Sequence, residues 1–299
     1  MASLAAHLLN PFLRYQVKRK LSHAGDTASI RKAFESRLPV PRGVSYTEAV
    51  IGGIAGEWVE PAEGAGPTMT LLYFHGGAYM VCSARTHRPI TGSFAQRGVR
   101  VFAANYRLAP EHPFPAAVDD GVAAYRGLLD QGTAPAHLAI AGDSAGGGLA
   151  LAVLLKARAA GLPMPARAVL FSPWTDLAGT GASAIENDGR DPMIKGGKVP
   201  EGAAIYLNGA DNCDPLASPL YADLTGLPPL MIHVGANEVL RDDSVRFDAK
   251  ARAAGVPSLL RVWPVVAHVW PMFHSFVPEG RQTLDESAAF IRGAERGAA

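Results

Sequence analysis

Cysteine is nearly absent: Cys82 and Cys213 are the only two in 299 residues. That is too few for a disulfide framework or a cysteine-built zinc site, so two separate reduced thiols are expected. Charge is scarce as well, at 18% of residues with a net of +1, which gives no reason to expect nucleic acid or an anionic membrane as partner. No apolar run approaches eighteen residues, so no spanning segment is expected. Residues 1–16 lack a basic leading region, Pro11 interrupts them, and Lys18-Arg19-Lys20 follows the apolar part, unlike a secretory signal. Leu4, Leu8, Phe12 and Tyr15 instead fall at helical spacing, which predicts an amphipathic helix lying on the body of the protein. A soluble, cytoplasmic protein is the default expectation. Repeats and low-complexity linkers are also missing.

What is plentiful is apolar residues, at 48%, enough to bury a large core. Residues 1–40 read as two helical pieces, with a break at Gly25-Asp26 and the second piece at 31–37. The prolines at 39 and 41 form a hinge. A strand–turn–strand follows over 44–59 around Gly52-Gly53. Strands are then expected at 70–74, 99–104, 137–141, 167–171, 230–234 and 258–264. Helices are expected between them at 86–97, 116–129, 149–158 and 239–254, with a closing helix at 282–293. This alternation predicts an α/β fold with a mostly parallel sheet covered on both faces. Residues 178–213 are rich in Gly, Asn, Asp and Lys with weak periodicity, and read as an insertion. The expected organisation is one catalytic domain, 41–299, with 1–40 and the insertion 176–215 as a two-part cap.

The organising motif is Gly142-Asp143-Ser144-Ala145-Gly146-Gly147-Gly148, set between an apolar strand and an apolar helix. Strand, glycine-flanked serine and helix in that order is the context of a nucleophile elbow. The turn is so tight that residues two before and two after the serine must lack bulk, and Gly142 and Gly146 do. The helix N-terminus that follows favours developing negative charge. A phosphate-binding loop would need other spacings, which are absent.

A serine hydroxyl needs a base, and the base needs an orienting carboxylate. In this type of sheet both come from later loops, in the order serine, acid, histidine. Downstream of Ser144 stand only His233, His268 and His274. His233 lies inside a strand pattern and reads as core. His268 follows the final strand and is the better base, with His274 the alternative. For the acid, Glu238 stands nearest its strand's end, ahead of Asp242 and Asp243, which also suit the first turn of a helix. The oxyanion requires backbone donors, which Gly76, Gly77 and Ala145 are placed to supply. Phe12, Ala78, Tyr79, Ile205 and Leu207 are candidate substrate-binding residues, the alternative being that the cap residues among them only join cap to body.

Together these residues resemble the hormone-sensitive-lipase-like family of α/β-hydrolases, the bacterial family IV esterases. The resemblance rests on His75-Gly76-Gly77-Ala78, the stretch 106–117 (Tyr-Arg-Leu-Ala-Pro-Glu-His-Pro-Phe-Pro-Ala-Ala), the elbow, Asp214-Pro215 with Ser218-Pro219-Leu220, and His268-Val269-Trp270. It implies an eight-stranded, mainly parallel sheet with a helical cap, and hydrolysis of carboxylic esters without cofactor or metal. Short to medium acyl chains are expected by resemblance only. Two departures stand out. Ala78 replaces the usual fourth glycine of the oxyanion loop, and Glu238 stands where an aspartate followed by proline is commoner. The competing readings are an amidase or peptidase using the same triad, and a small-molecule receptor like the plant gibberellin receptor, which lacks the histidine that His268 supplies here. Finally, strand 258–264 is expected at the sheet edge, where pairing with a second copy would form a homodimer.

Overall fold

The structure, a computed structural model, describes residues 2–18, 29, 31, 38–61 and 69–294. The break expected at Gly25-Asp26 and the helical piece expected at 31–37 lie outside the described residues, apart from Arg31 itself.

Eight strands form one sheet: β1 (Val44–Ile51), β2 (Ile54–Pro61), β3 (Met69–Phe74), β4 (Val99–Ala104), β5 (Leu138–Asp143), β6 (Arg167–Phe171), β7 (Leu230–Gly235) and β8 (Ser258–Trp263). Their spatial order is β1-β2-β4-β3-β5-β6-β7-β8. The pairs β1/β2 and β2/β4 are antiparallel and every later pair is parallel. Side chains alternate across a strand, and the two resulting faces can be read off β3. Leu72 and Phe74 enter one core cluster, with Ile140 and Leu170; Leu71 and Tyr73 enter the other, with Val169 and Phe171. A strand buried on both faces has to be apolar at every position, which is why these segments read as unbroken apolar runs.

Helices cover both faces: α1 (Leu4–Leu13), α2 (Arg88–Gln96), α3 (Ala116–Asp130), α4 (Ala145–Ala159), α5 (Ser183–Glu186), α6 (Val199–Leu207), α7 (Arg241–Ala253) and α8 (Pro278–Ile291). The helix α4 is buried almost all round, and its sequence from Leu149 to Leu155 is correspondingly apolar with no polar stripe. It begins four residues earlier than expected. The glycines at 146–148 count against a helix by propensity, but here packing decides: side chains at those positions would strike neighbouring backbone or ring atoms. Similarly α8 starts at Pro278 rather than 282, with the proline at its first turn.

One expectation is reversed. Leu4, Leu8, Phe12 and Tyr15 do not lie on the body; they are 73%, 63%, 59% and 64% exposed. The face of α1 that packs is the one carrying Ala6 and Leu13, which are buried. The helix is apolar on two sides, so its spacing identified a stripe but not which of the two stripes is covered. The helix is held at its start by Ser3, whose N–H and hydroxyl donate to Glu279 of α8 at 2.5 and 2.8 Å. Beyond it a π-helical turn (Arg14–Lys18) runs to the segment after α5, where Arg14 donates to the carbonyl of Arg190 and the Lys18 ammonium to the carbonyls of Asp188 and Asp191.

Candidate active site

At the carboxyl end of β5 the chain reverses into α4 at Ser144, whose φ of 53° and ψ of −122° lie where only glycine is comfortable. The strain is held in place by hydrogen bonds on both sides. Ser144 N–H donates to Phe171 O at 2.8 Å, and Ser144 O accepts from Gly147, Gly148 and Trp174. A Cβ on Gly142 would sit 2.1 Å from Gly146 O, and one on Gly146 would sit 2.1 Å from Phe74 O. The two glycines are therefore steric necessities. Within the buried run 141–148, Ser144 alone is partly open.

The neighbouring strand ends carry the rest. Glu238, after β7, is fully buried. Its Oε1 accepts from Gly235 N–H at 2.6 Å and from Ser172 Oγ at 2.8 Å, and its Oε2 lies 2.6 Å from Nδ1 of His268. Because a carboxylate can only accept, Nδ1 carries the proton, which leaves Nε2 as the imidazole's basic nitrogen. Burial alone would pull His268 down, but the Glu238 carboxylate outweighs it and holds the imidazole above the ordinary histidine value. Burial also pushes Glu238 up from the usual carboxylate value, with His268 offsetting only part. The structure thus joins Glu238 to His268 directly. Ser144 makes no hydrogen bond to His268 among the described residues. Ser172, one strand over from the elbow, donates to Glu238 at 2.8 Å and accepts from Val269 N–H at 3.5 Å.

The alternatives find other partners. Asp243 accepts the N–H groups of Thr175 and Asp176, and Asp242 accepts from Ser183 N–H. His233 is walled in by Phe171, Trp263 and Trp270, accepts from Trp263 Nε1 at 3.2 Å, and is pushed down to about 3 by burial. His274 shares no hydrogen bond with these acids among the described residues, and its buried Nε2 has no partner.

Opposite the elbow lies the loop after β3. A Cβ at Gly76 would meet Asp143 Oδ2 at 2.2 Å, and Gly77 has a φ of 111° with Val81 O where its Cβ would be. Among the described residues, the N–H groups of Gly76, Gly77 and Ala145 have no backbone acceptor. The loop rests on a polar layer. Burial, with His87 close by, pushes His75 down to about 3, so its ring is neutral; it stacks on Tyr106 at 4.4 Å and contacts Gly76 O through Nδ1 at 2.7 Å. Beneath it burial opposes ionisation of Asp143, but His87 and Tyr73, at 3.2 and 2.6 Å, keep its carboxyl below the usual value. The usual fourth glycine of this loop is Ala78, which takes a φ of 52°, and Tyr79 follows at 61°.

The candidate substrate-binding residues divide. Tyr79 and Leu207 are buried, and Tyr79 stacks on Tyr206 of α6 with ring centroids 3.7 Å apart. Ala78 is half-buried, while Phe12 and Ile205 are 59% and 42% exposed. Sequence reasoning passed over Ser172 and Asp191. Asp191 is buried in the segment after α5, accepts from Val239 N–H at 3.0 Å, and so braces the residue next to Glu238. Ser172 had a readable signal, being the first residue past a strand end; Asp191, in a segment without periodicity, had none. No group of three His, Cys, Asp or Glu side chains placed to hold a metal ion occurs among the described residues.

Comparison with known proteins adds to this geometry. The alpha/beta hydrolase fold family matches residues 71–272. The chain is 46% identical over 258 residues to an acetyl-hydrolase of Streptomyces hygroscopicus, covering 86% of this chain and 85% of that one. It is 36% identical over 242 residues to an esterase of Acinetobacter venetianus, covering 80% and 79%. Among solved structures, EstE5 soaked with p-nitrophenyl butyrate superposes with a TM-score of 0.93 at 46% identity, covering 98% of this chain and 99% of that one. An esterase of the bacterial hormone-sensitive lipase family superposes with a TM-score of 0.93 at 40% identity, with the same coverage.

Proposed function

The chain belongs to the alpha/beta hydrolase fold family, within its hormone-sensitive-lipase-like esterases, and is a carboxylic ester hydrolase; from that premise we propose that it works through an acyl-serine intermediate on Ser144. His268 Nε2 takes the hydroxyl proton as Ser144 Oγ attacks the ester carbonyl. The N–H groups of Gly76, Gly77 and Ala145 receive the oxyanion, each contributing on the order of 10²–10³ in rate. The alkoxide departs with the proton from His268, and water repeats the sequence on the acyl-enzyme. Glu238 keeps Nδ1 protonated and steadies the imidazolium. The observation that carries this reading is the 2.6 Å contact between buried Glu238 and His268, on loops beside a strained serine elbow. The residues 1–40 and 176–215 then serve as the cap over the site. Replacing Ser144 by alanine tests the assignment: hydrolysis of p-nitrophenyl butyrate should fall by about 10⁴-fold or more, and near wild-type turnover would refute it.

Short acyl chains fit best. The names of the relatives point that way, an acetyl-hydrolase and a structure soaked with a butyrate ester. Supporting them, the buried Tyr79 side chain and the Trp174 carbonyl pack against the first turn of α4, behind the elbow, where a Cβ at Gly148 would lie 3.1 Å from the Tyr79 hydroxyl and 2.2 Å from Trp174 O. A p-nitrophenyl ester series from acetate to palmitate should give its highest kcat/KM at butyrate or shorter; a maximum at long chains would reject this preference.

A further inference from the structure

The loop after β7, which carries Glu238, is gripped from outside by the segment that follows α5. Glu238 O accepts from Asn187 Nδ2 at 2.9 Å, and Val239 N–H donates to Asp191 Oδ2 at 3.0 Å. These two groups belong to one peptide unit, and a peptide unit is planar. Holding both of its ends fixes the plane that leaves the Glu238 Cα, and with it the direction in which the side chain projects. The loop's own backbone bonds at Glu238, to Gly235 O and from Arg241 N–H, are both 3.2 Å, longer than the pair from outside. Asn187 also donates to Ala236 O at 3.1 Å, while its Oδ1 has no partner among the described residues, so its amide serves this loop as a donor. Asp191 uses both oxygens, Oδ1 accepting from Met193 and Ile194 N–H and Oδ2 from Val239. An amide, with one acceptor oxygen, could not do both. Both side chains are fully buried, where a lost bond leaves its partner unsatisfied.

We propose that Asn187 and Asp191 are positioning residues for Glu238: they hold the peptide that follows it so that its carboxylate meets His268 Nδ1. The proposal rests on the acyl-serine reading, in which the reacting groups must be held within about 0.5 Å of their productive geometry. Asp191 acts by charge as well. Burial lowers His268, and the carboxylates of Glu238, Asp191 and Asp143 all raise it. The Lys18 ammonium, bonded to the carbonyls of Asp188 and Asp191, faces Asp191 in turn.

A mutant cycle on soluble p-nitrophenyl butyrate tests the role. Asn187→Ala and Asp191→Asn should each lower kcat by about 10–10²-fold, with KM little changed. Each should also move the acid limb of kcat/KM to lower pH, because a looser Glu238 contact, or one carboxylate fewer, raises His268 less. In a Glu238→Gln background the same substitutions should cost less than about twofold at the pH plateau, since the carboxylate they position is already gone. Residues that only hold the cap down would lower activity equally in both backgrounds and leave the limb in place, and either result would overturn the proposal. So would loss of cooperative urea unfolding in both variants, which would make the pair necessary to the fold instead. Glu238→Gln alone separates this failure from a wrong triad. If it lowers kcat and the other effects are undiminished on top of it, only the positioning role fails; if it turns over at the wild-type rate, the assignment of Glu238 fails with it.

Discussion

At the scale of single residues, the site is a balance between burial and pairing. His268 is held above the ordinary histidine value because the Glu238 carboxylate outweighs burial, and a general base works only when neutral. Activity therefore falls as pH drops through a pKa that lies above about 6.5. In a Glu238→Gln variant the raising charge is gone and burial remains. The acid limb of kcat/KM should then move to lower pH, while the plateau falls by about 10³–10⁴. A limb that stays in place would mean that Glu238 does not set the base. Ser144 carries a second balance, since its φ of 53° is strained for any residue with a Cβ. Ser144→Gly should therefore be more stable to urea than Ser144→Ala, by about 1 kcal/mol, although both are inactive. Equal midpoints would show that the elbow stores no strain.

At the scale of elements, the chain holds the elbow by close backbone approach. Gly146→Ala would drive a methyl into Phe74 O and should cost at least about 3 kcal/mol, read from the urea midpoint. Gly132→Ala, with nothing within 4 Å, should cost only the smaller penalty of its positive φ, about 1 kcal/mol. The same elements show what a sequence can reveal. Strands at 99–104 and 167–171 were legible to the residue because, past Arg100 and Arg167 at their starts, every position is buried and apolar. Helix starts were less so, since the glycines at 146–148 and Pro278 look like breakers until packing and N-terminal position are known. Ser144, His268 and Glu238 could be picked out as candidates from their order relative to the strands. Ser172 and Asp191 could not be ranked, because their importance comes from contacts 66 and 48 residues away along the chain. The outward stripe of α1 was visible as a period, but a period does not say which side faces the core.

At the scale of the whole molecule, β8 ends the sheet, with one side unpaired among the described residues. Leu259 and Val262 stand 49% and 46% exposed on it, and little charge guards the edge beyond Arg261, which pairs with Glu286. Such an edge invites a second copy. Light scattering should give a mass of twice 31.4 kDa, and Val262→Lys should return it to one; a wild-type monomer at micromolar concentration would remove the dimer from the account. The segments proposed as a cap meet the rest of the chain at defined points. One is Arg31, which reaches Met80 O and Ala109 O and pairs with Glu111; another is the Tyr79–Tyr206 stack.

The claim on which all of this turns is that Ser144 is a nucleophile activated by His268. It is tested most directly by incubating the protein with a p-nitrophenyl alkylphosphonate and locating the adduct by mass spectrometry. One phosphonyl group per chain is expected, on the peptide containing Ser144, with a rate of labelling that collapses in His268→Ala. An unlabelled Ser144, or labelling indifferent to His268, would contradict it.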